Sequence, residues 1–119
     1  MTPFGQRLRE LRAERKRTLK DMAAALKVSS AYLSALEHGH RGKPSSGLVQ
    51  QIAAYFNLAW DDVDELKRLA LISDPRVTID TSGLSPAATE LANKLAERIG
   101  ELDETRIAAI REKLEERQE

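Results

Sequence analysis

Two short amphipathic segments joined by a tight turn lie between Thr18 and Gly39, and they restrict the possible fold more than any other feature. Thr18 and Asp21 have the spacing of a capping box, in which side chain and backbone bond reciprocally at a helix start. The spacing predicts a helix over 19–26. A second helix begins after the N-cap candidate Ser29 and stops at Gly39, a residue type that commonly ends helices.

The apolar residues of this segment are placed by packing. Ala23 is the small residue where the two helices approach each other, and Val28 fills the space under the turn. Leu33 and Leu36 hold the second helix against the interior, at helical spacing. The exposed positions of the second helix remain available for a partner. Two helices arranged in this way predict a helix-turn-helix.

Three further helices are predicted in the front part of the chain. Thr2 and Pro3 favour a helix start, and the first helix is predicted over 3–16. Two more are predicted over 47–56 and 60–72, from apolar residues that recur at helical spacing. The five helices predict a compact all-α domain in residues 1–72.

The back part predicts a linker and a helical hairpin. Residues 73–85 are the predicted linker, and the β-branched triplet 77–79 is a candidate short strand. Region 86–119 is predicted to hold two helices, over 86–99 and 104–117. Apolar residues recur there every three or four positions: Leu84, Ala88, Leu91, Leu95, Ile99, Leu102, Ile107, Ile110 and Leu114.

This aliphatic seam predicts dimerisation. A simple hairpin buries little of such a stripe within one chain, whereas two copies pair into four helices that cover both stripes. The five-helix domain already has a full set of inward residues, so it needs no further cover. The alternative is that the hairpin folds back onto the first domain.

The charge is divided unevenly along the 119 residues. Residues 1–58 carry ten Lys/Arg and four Asp/Glu, whereas residues 59–119 carry nine and fifteen. A basic front half favours an anionic partner, and nucleic acid is the commonest one. The alternative is that the basic half docks on the acidic half.

The composition also narrows the function classes. Cysteine is absent and histidine occurs twice, which argues against a disulfide framework and a structural zinc site. We expect no cofactor and no enzyme activity, because no nucleophile with a base and no phosphate-binding glycine loop is present. No apolar run is long enough to span a bilayer and no secretion signal opens the chain, so we expect a cytoplasmic protein.

The segment from Thr18 to Gly39 resembles the Xre family of bacterial and phage regulators, which share the fold of lambda repressor and Cro. The likeness covers about residues 4–72 and implies a five-helix domain that binds double-stranded DNA. Two positions depart from the family: Leu19 replaces a common Gln that helps clamp a phosphate, and Lys27 replaces a common turn Gly. The residues in register are Thr18, Met22, Ala23, Leu26, Val28, Ser29, Tyr32, Leu33, Ser34, Leu36, Glu37, Gly39, Pro44 and Ser45.

The resemblance also implies where DNA binds. The second helix would face bases through Ser30, Ala31 and Ser34, a set without the Arg, Asn or Gln side chains that pair best with bases. Arg41 and Lys43 of the following loop would contact phosphate or the minor groove, although such a loop can also be merely solvated. The predicted DNA-binding residues are Lys20, Lys27, Ser29, Ser30, Ala31, Tyr32, Ser34, His38, His40, Arg41 and Lys43.

Other charged residues have framework or partner interpretations. The resemblance implies that Glu37 pairs with Arg12 as a structural contact. A metal pair at His38 and His40 is disfavoured because no Cys or Asp lies near them in the sequence. The acidic cluster on the fifth helix either contacts RNA polymerase or another protein, or complements the positive helix terminus. That cluster is Asp61, Asp62, Asp64 and Glu65.

These features together predict a dimeric, sequence-specific regulator of transcription, more often a repressor than an activator, on a palindromic operator. Symmetric operators need dimers because one short helix covers too few base pairs. The alternative function is an antitoxin-type interaction protein. In that case the tail would bind a protein partner and the front domain would regulate its own gene.

Overall fold

The computed structural model describes residues 1–116, and these residues form helices without any strand. The all-α fold class predicted from the sequence is confirmed. The last three residues of the predicted dimerisation region, 117–119, lie outside the described residues. The helices are α1 (Pro3–Glu14), α2 (Leu19–Leu26), α3 (Ser30–Glu37), α4 (Ser46–Tyr55), α5 (Trp60–Leu71), α6 (Pro86–Arg98) and α7 (Glu104–Glu115), with a 3-10 turn at Ile99–Glu101.

Polar side chains cap most of the α-helices, including the predicted caps at Thr2, Thr18 and Ser29. Thr18 accepts a hydrogen bond from the Asp21 amide at 3.0 Å, and the Asp21 carboxylate accepts one from the Thr18 amide at 3.3 Å. This is the predicted capping box. Only α5 among the α-helices lacks a side-chain cap within residues 1–116. The side chains that cap the others are Thr2, Thr18, Ser29, Ser45, Ser85 and Asp103.

The turn after α2 has the left-handed backbone expected of its position. Lys27 has φ 60° and ψ 42° although it carries a side chain. Such a conformation costs about 1 kcal/mol for a residue other than glycine. Gly39 ends the α3 region with φ 81°, and Asn57 follows α4 with φ 51°. The short turn that joins α2 to α3 is therefore built as the sequence predicts.

The chain divides into two compact units: unit 1 is Met1–Val77 and unit 2 is Thr78–Glu119. Unit 1 closes around one apolar core contributed by all five of its helices. Every residue of this core is at least nine-tenths buried, and several are fully enclosed. The core consists of Phe4, Leu8, Leu11, Met22, Ala23, Leu26, Leu33, Leu36, Leu48, Val49, Ile52, Phe56, Leu66 and Ala70.

Both ends of unit 1 are tied together by Ser73. The Phe4 amide donates to the Ser73 hydroxyl at 2.9 Å, and that hydroxyl donates to the carbonyl of Leu69. Ser73 is 2% exposed. The first residue of the predicted linker is therefore part of the unit 1 framework.

Gly5 lies where α1 packs against the C-terminal end of α3. A Cβ atom added to Gly5 would lie 2.0 Å from the carbonyl oxygen of Glu37. That carbonyl also accepts a hydrogen bond from the Thr2 amide at 3.3 Å. Only glycine lets the two backbones approach this closely.

Unit 2 has no enclosed core in the residues that the structure describes. Neither α6 nor α7 contains a buried residue. The candidate strand at 77–79 is wrong, because an isolated extended segment needs a neighbouring strand to pair with and residues 1–116 offer none. Val77 and Ile79 of this segment are exposed.

Candidate nucleic-acid interface

The outward face of α3 is short and polar. Leu33, Leu36 and Glu37 face inward and are buried, whereas Ser30 and Ala31 are exposed. Ser34 is half-buried. Ser30, Ala31 and Ser34 thus offer two hydroxyl groups and one methyl group to a partner, and the half-buried Tyr32 and Ala35 add a phenol ring and a second methyl group.

The hydroxyl group of Ser29 is already used inside the protein. It accepts a hydrogen bond from the Tyr32 amide at 3.0 Å and so caps α3. Ser29, one of the predicted DNA-binding residues, therefore lies at the start of α3. The first turn of an α-helix has unpaired amides and a partial positive charge, which suit a phosphate group.

The N-terminal end of α4 opens onto the same groove as that of α3. This groove has a volume of about 610 Å³, with Val28, Ser29 and Tyr32 on one side. The α4 side of the groove was not predicted from the sequence, because its only sequence signal is a helix cap that follows a basic loop. The residues of that side are Ser45, Gly47, Leu48 and Gln51.

The arginines of α1 differ from the predicted DNA-binding cations in their acid partners. The arginines of α1 are largely paired with acids: Arg7 contacts Glu10 at 3.2 Å. By contrast, the predicted DNA-binding cations have no carboxylate within 4.0 Å in the part of the chain that the structure describes. Those cations, all exposed, are Lys20, Lys27, Arg41 and Lys43.

The loop after α3 turns back toward that helix. Gly39 and Gly42 both have positive φ, 81° and 72°, on either side of His40 and Arg41. The guanidinium carbon of Arg41 lies 5.8 Å from the centroid of the Tyr32 ring. This distance is within the range of a cation–π contact.

The two histidines flank the same loop. His38 Nδ1 lies 2.8 Å from the Ser34 carbonyl oxygen, and because a carbonyl only accepts, Nδ1 is the donor. The rings of His38 and His40 are stacked, with centroids 6.3 Å apart. Within residues 1–116, no three His, Cys, Asp or Glu side chains come together as a metal site.

Glu37 is the buried charge behind this surface. It is 1% exposed, and Arg12 binds both of its carboxylate oxygens at 3.1 Å. Arg9 adds a third contact, from Nε to Oε1 at 3.3 Å. Arg9 was missed from the sequence, although it lies three residues before Arg12 and so shares its helix face. The carboxylate is fully occupied and has no role as a DNA contact.

The acidic cluster lies on α5. Asp61 and Asp62 occupy the first turn of this helix, where negative charge is stabilised by the helix dipole. The residue before them, Trp60, is 85% exposed. No ion pair joins the cluster to another side chain within residues 1–116.

The predicted dimerisation residues lie on an open surface of unit 2. Leu91 is 63% exposed and Leu114 is 71% exposed. Leu84, Ala88 and Leu91 lie outside the groove that the others form. Side chains of α6, α7 and the turn between them line this groove of about 220 Å³: Leu95, Ile99, Leu102, Ile107, Ile110 and Leu114, with Arg111 beside them.

No helix within residues 1–116 combines the length and the apolar character that crossing a bilayer requires.

A family model described as "Helix-turn-helix domain" matches residues 3–66. The chain is similar to the uncharacterized HTH-type transcriptional regulator RghRB of Bacillus subtilis, with 40% identity over 53% of this chain and 45% of RghRB. It is also similar to the HTH-type transcriptional repressor RghR of the same organism, with 36% identity over 51% of this chain and 45% of RghR.

A third relative is the HTH-type transcriptional regulator DdrOP3 of Deinococcus deserti, with 45% identity over 50% of this chain and 46% of that protein. The match thus spans about half the length of each of these relatives. No solved structure shows a significant match to the chain.

Proposed function

The chain belongs to the helix-turn-helix domain family, and from this premise we propose that it is a DNA-binding regulator of transcription that acts as a repressor. The observation that carries the proposal is the surface around α3. This helix and α4 open their N-terminal ends onto one groove, and exposed cations without acid partners lie in the adjoining turn and loop. Two of the relatives are named as a regulator and a repressor of transcription.

The proposed mode of binding divides the contacts into two groups. Lys20, Lys27 and Lys43, with the free amides of the helix starts, bind phosphate groups and set the position of the domain on DNA. Ser30, Ala31 and Ser34 face base edges. A hydroxyl bonds several bases and a methyl group contacts thymine, so the direct contacts from α3 discriminate weakly.

We further propose that the protein acts as a homodimer on a palindromic operator. The apolar seam of unit 2 supports this, because it is exposed in a single chain and a second copy would cover it. Two recognition helices about 34 Å apart would then enter adjacent major grooves on one side of the duplex. The acidic charge of the tail would keep it away from the phosphates.

The DNA-binding proposal is tested by selecting preferred sites from random duplexes and measuring affinity at several salt concentrations. We expect affinity to fall steeply with salt, and Lys43→Ala to weaken all sequences about equally and to lower the salt slope by about one. Ser30→Ala combined with Ser34→Ala should cost about 1–3 kcal/mol at the preferred site and less on random DNA. The control is Lys94→Ala, which removes only an exposed pair with Glu90. Salt-independent or absent binding would refute the proposal.

The antitoxin-type alternative uses the same exposed seam for a different protein. Sedimentation of the full chain separates the two, because a seam that serves self-association makes the chain dimeric at the concentrations that bind operator. A chain that binds operator DNA as a monomer would favour the alternative.

A further inference from the structure

The sequence predicts the same role for Arg41 and Lys43, but the two side chains have different surroundings in the structure. The two positive-φ glycines at positions 39 and 42 bend the loop so that Arg41 returns to α3. Its guanidinium group then lies over the ring of Tyr32. Lys43 makes no comparable contact with an aromatic ring in the described part of the chain.

The Arg41 guanidinium group over the Tyr32 ring keeps its N–H groups available. A cation–π contact depends on the positive charge over the ring face and uses none of these N–H groups as hydrogen-bond donors. No carboxylate lies within 4.0 Å of Arg41 among residues 1–116. Arg12 is the contrasting case, because Nε and Nη2 both donate to Glu37.

Tyr32 is suited to hold this group in place. It is the third residue of α3, its amide is bound by the Ser29 cap, and its side chain packs partly buried against the core. Its ring is therefore a fixed platform at the N-terminal turn of the recognition helix. In helix-turn-helix complexes, this end of the helix contacts base edges in the major groove.

We propose that Tyr32 is a positioning residue for Arg41, and that Arg41 recognises a guanine in the major groove. This inference rests on the proposed DNA-binding function. Two in-plane N–H groups of arginine match guanine O6 and N7, the strongest pairing between a side chain and a base. The exposed side chains of α3 itself include no such partner. Arg41 thus adds base specificity to a recognition helix whose own contacts discriminate weakly.

The test begins with the preferred duplex and replaces each guanine in turn with 7-deazaguanine or adenine. We expect one guanine at which adenine weakens the wild-type protein about 5- to 150-fold, the range for loss of a bidentate base contact. Replacement by 7-deazaguanine should weaken binding at the same position, because it removes only the N7 acceptor. Arg41→Ala should abolish this preference, and Arg41→Lys should lower it, because lysine can donate to guanine O6 and N7 but lacks the planar pair of N–H groups. The matched control is Arg68→Ala, an exposed arginine of α5.

Variants of Tyr32 test the positioning role. Tyr32→Phe retains the ring face and should retain the guanine preference, whereas Tyr32→Leu should lower it about 2- to 5-fold, the value of a cation–π contact. In the free protein, the δ protons of Arg41 should show a ring-current shift that Tyr32→Leu removes and Tyr32→Phe keeps. Thermal melts of both Tyr32 variants show whether unit 1 is still folded.

Each outcome decides a different claim. If Arg41→Ala weakens all duplexes equally, Arg41 binds phosphate and the guanine assignment is wrong. If a folded Tyr32→Leu variant keeps the wild-type chemical shift of the Arg41 δ protons and the full guanine preference, Tyr32 does not position Arg41. If the wild-type protein selects no duplex and binds none, the proposed function fails together with this inference. Salt-dependent binding without a guanine preference overturns only the inference.

Discussion

Unit 1 and unit 2 are built from the same kind of amphipathic helix, but they bury their apolar side chains to different extents. Leu8, Leu33 and Ile52 of unit 1 are fully buried. Leu91 and Leu114 of unit 2, which recur at the same helical spacing, remain more than three-fifths exposed. The hydrophobic pattern is therefore equivalent in the two units while burial is not.

The difference follows from the number of elements available. Five helices surround a side chain from several directions, whereas two helices meet along a single line and leave one side of it open. Small assemblies bury a smaller fraction of their surface and need additional cover. An amphipathic pattern thus shows which face must be covered, but it does not show whether the same chain covers it.

The largest expected effect is in unit 1, at the contact between α1 and α3. Gly5→Ala should destabilise unit 1 by more than about 3 kcal/mol, because its Cβ would overlap the Glu37 carbonyl and overpacking against backbone is poorly relieved. Gly47→Ala is the matched control, since a Cβ there meets nothing within 4 Å. It should leave stability unchanged or raise it by up to about 1 kcal/mol. Equal melting of the two variants would contradict the close packing.

The buried ion pair gives the next effect. Arg12→Ala should cost about 3 kcal/mol, the lower end of the range for breaking a buried pair, because Arg9 still contacts the stranded Glu37. Arg9→Ala should cost less than about 1 kcal/mol, since Arg9 is half-exposed. Denaturant unfolding of both variants measures these values. An Arg12→Ala melt equal to that of the wild type would show that the pair does not stabilise unit 1.

The seam of unit 2 should respond in association rather than in folding of unit 1. Leu95→Glu should weaken self-association and operator binding at least about tenfold, because a carboxylate is costly to bury in an apolar interface. Ala96→Glu adds the same charge at the next, exposed position and should have little effect. Sedimentation measures self-association, and a thermal melt measures the folding of unit 1. A Leu95→Glu chain that remained dimeric would place the interface elsewhere.

The smallest expected effect is on the stability of unit 1 at acid pH. Hydrogen bonds from Thr18, first from its side chain and then from its backbone amide, lower the pKa of the Asp21 carboxyl. A lowered pKa contributes stability above the unfolded value of 3.8, and that stability is lost as pH falls through the folded value. Asp21→Asn should therefore lose less stability than the wild type between pH 6 and pH 2 (roughly the range over which Asp protonates).

Asp80 provides the comparison in unit 2. Its pKa is lowered in the same way by Ser82, but it lies in an exposed connecting segment. Asp80→Asn should leave the acid dependence of the unit 1 melt unchanged. If the two variants shifted that melt equally, the capping box of α2 would not be the source of the effect.

Local chemistry is what the sequence by itself determined. The caps at Thr18 and Ser29 and the inward leucines each depend on residues within about four positions, so they can be predicted without a structure. The turn position of Lys27 was implied by the family resemblance. The pair between Arg12 and Glu37, implied by the family resemblance, is present in the structure. The bounds of α1 were less well predicted, because the helix ends two residues before Lys16.

Contacts between distant segments were decided only by the tertiary structure. The need for glycine at position 5 arises from a carbonyl in α3, and the place of Ser73 in unit 1 arises from an amide in α1. The α4 side of the groove and the cation–π contact of Arg41 with Tyr32 likewise depend on how the loop returns. These features have no local signal, because their energy comes from groups that only the folded chain brings within a few ångströms of each other.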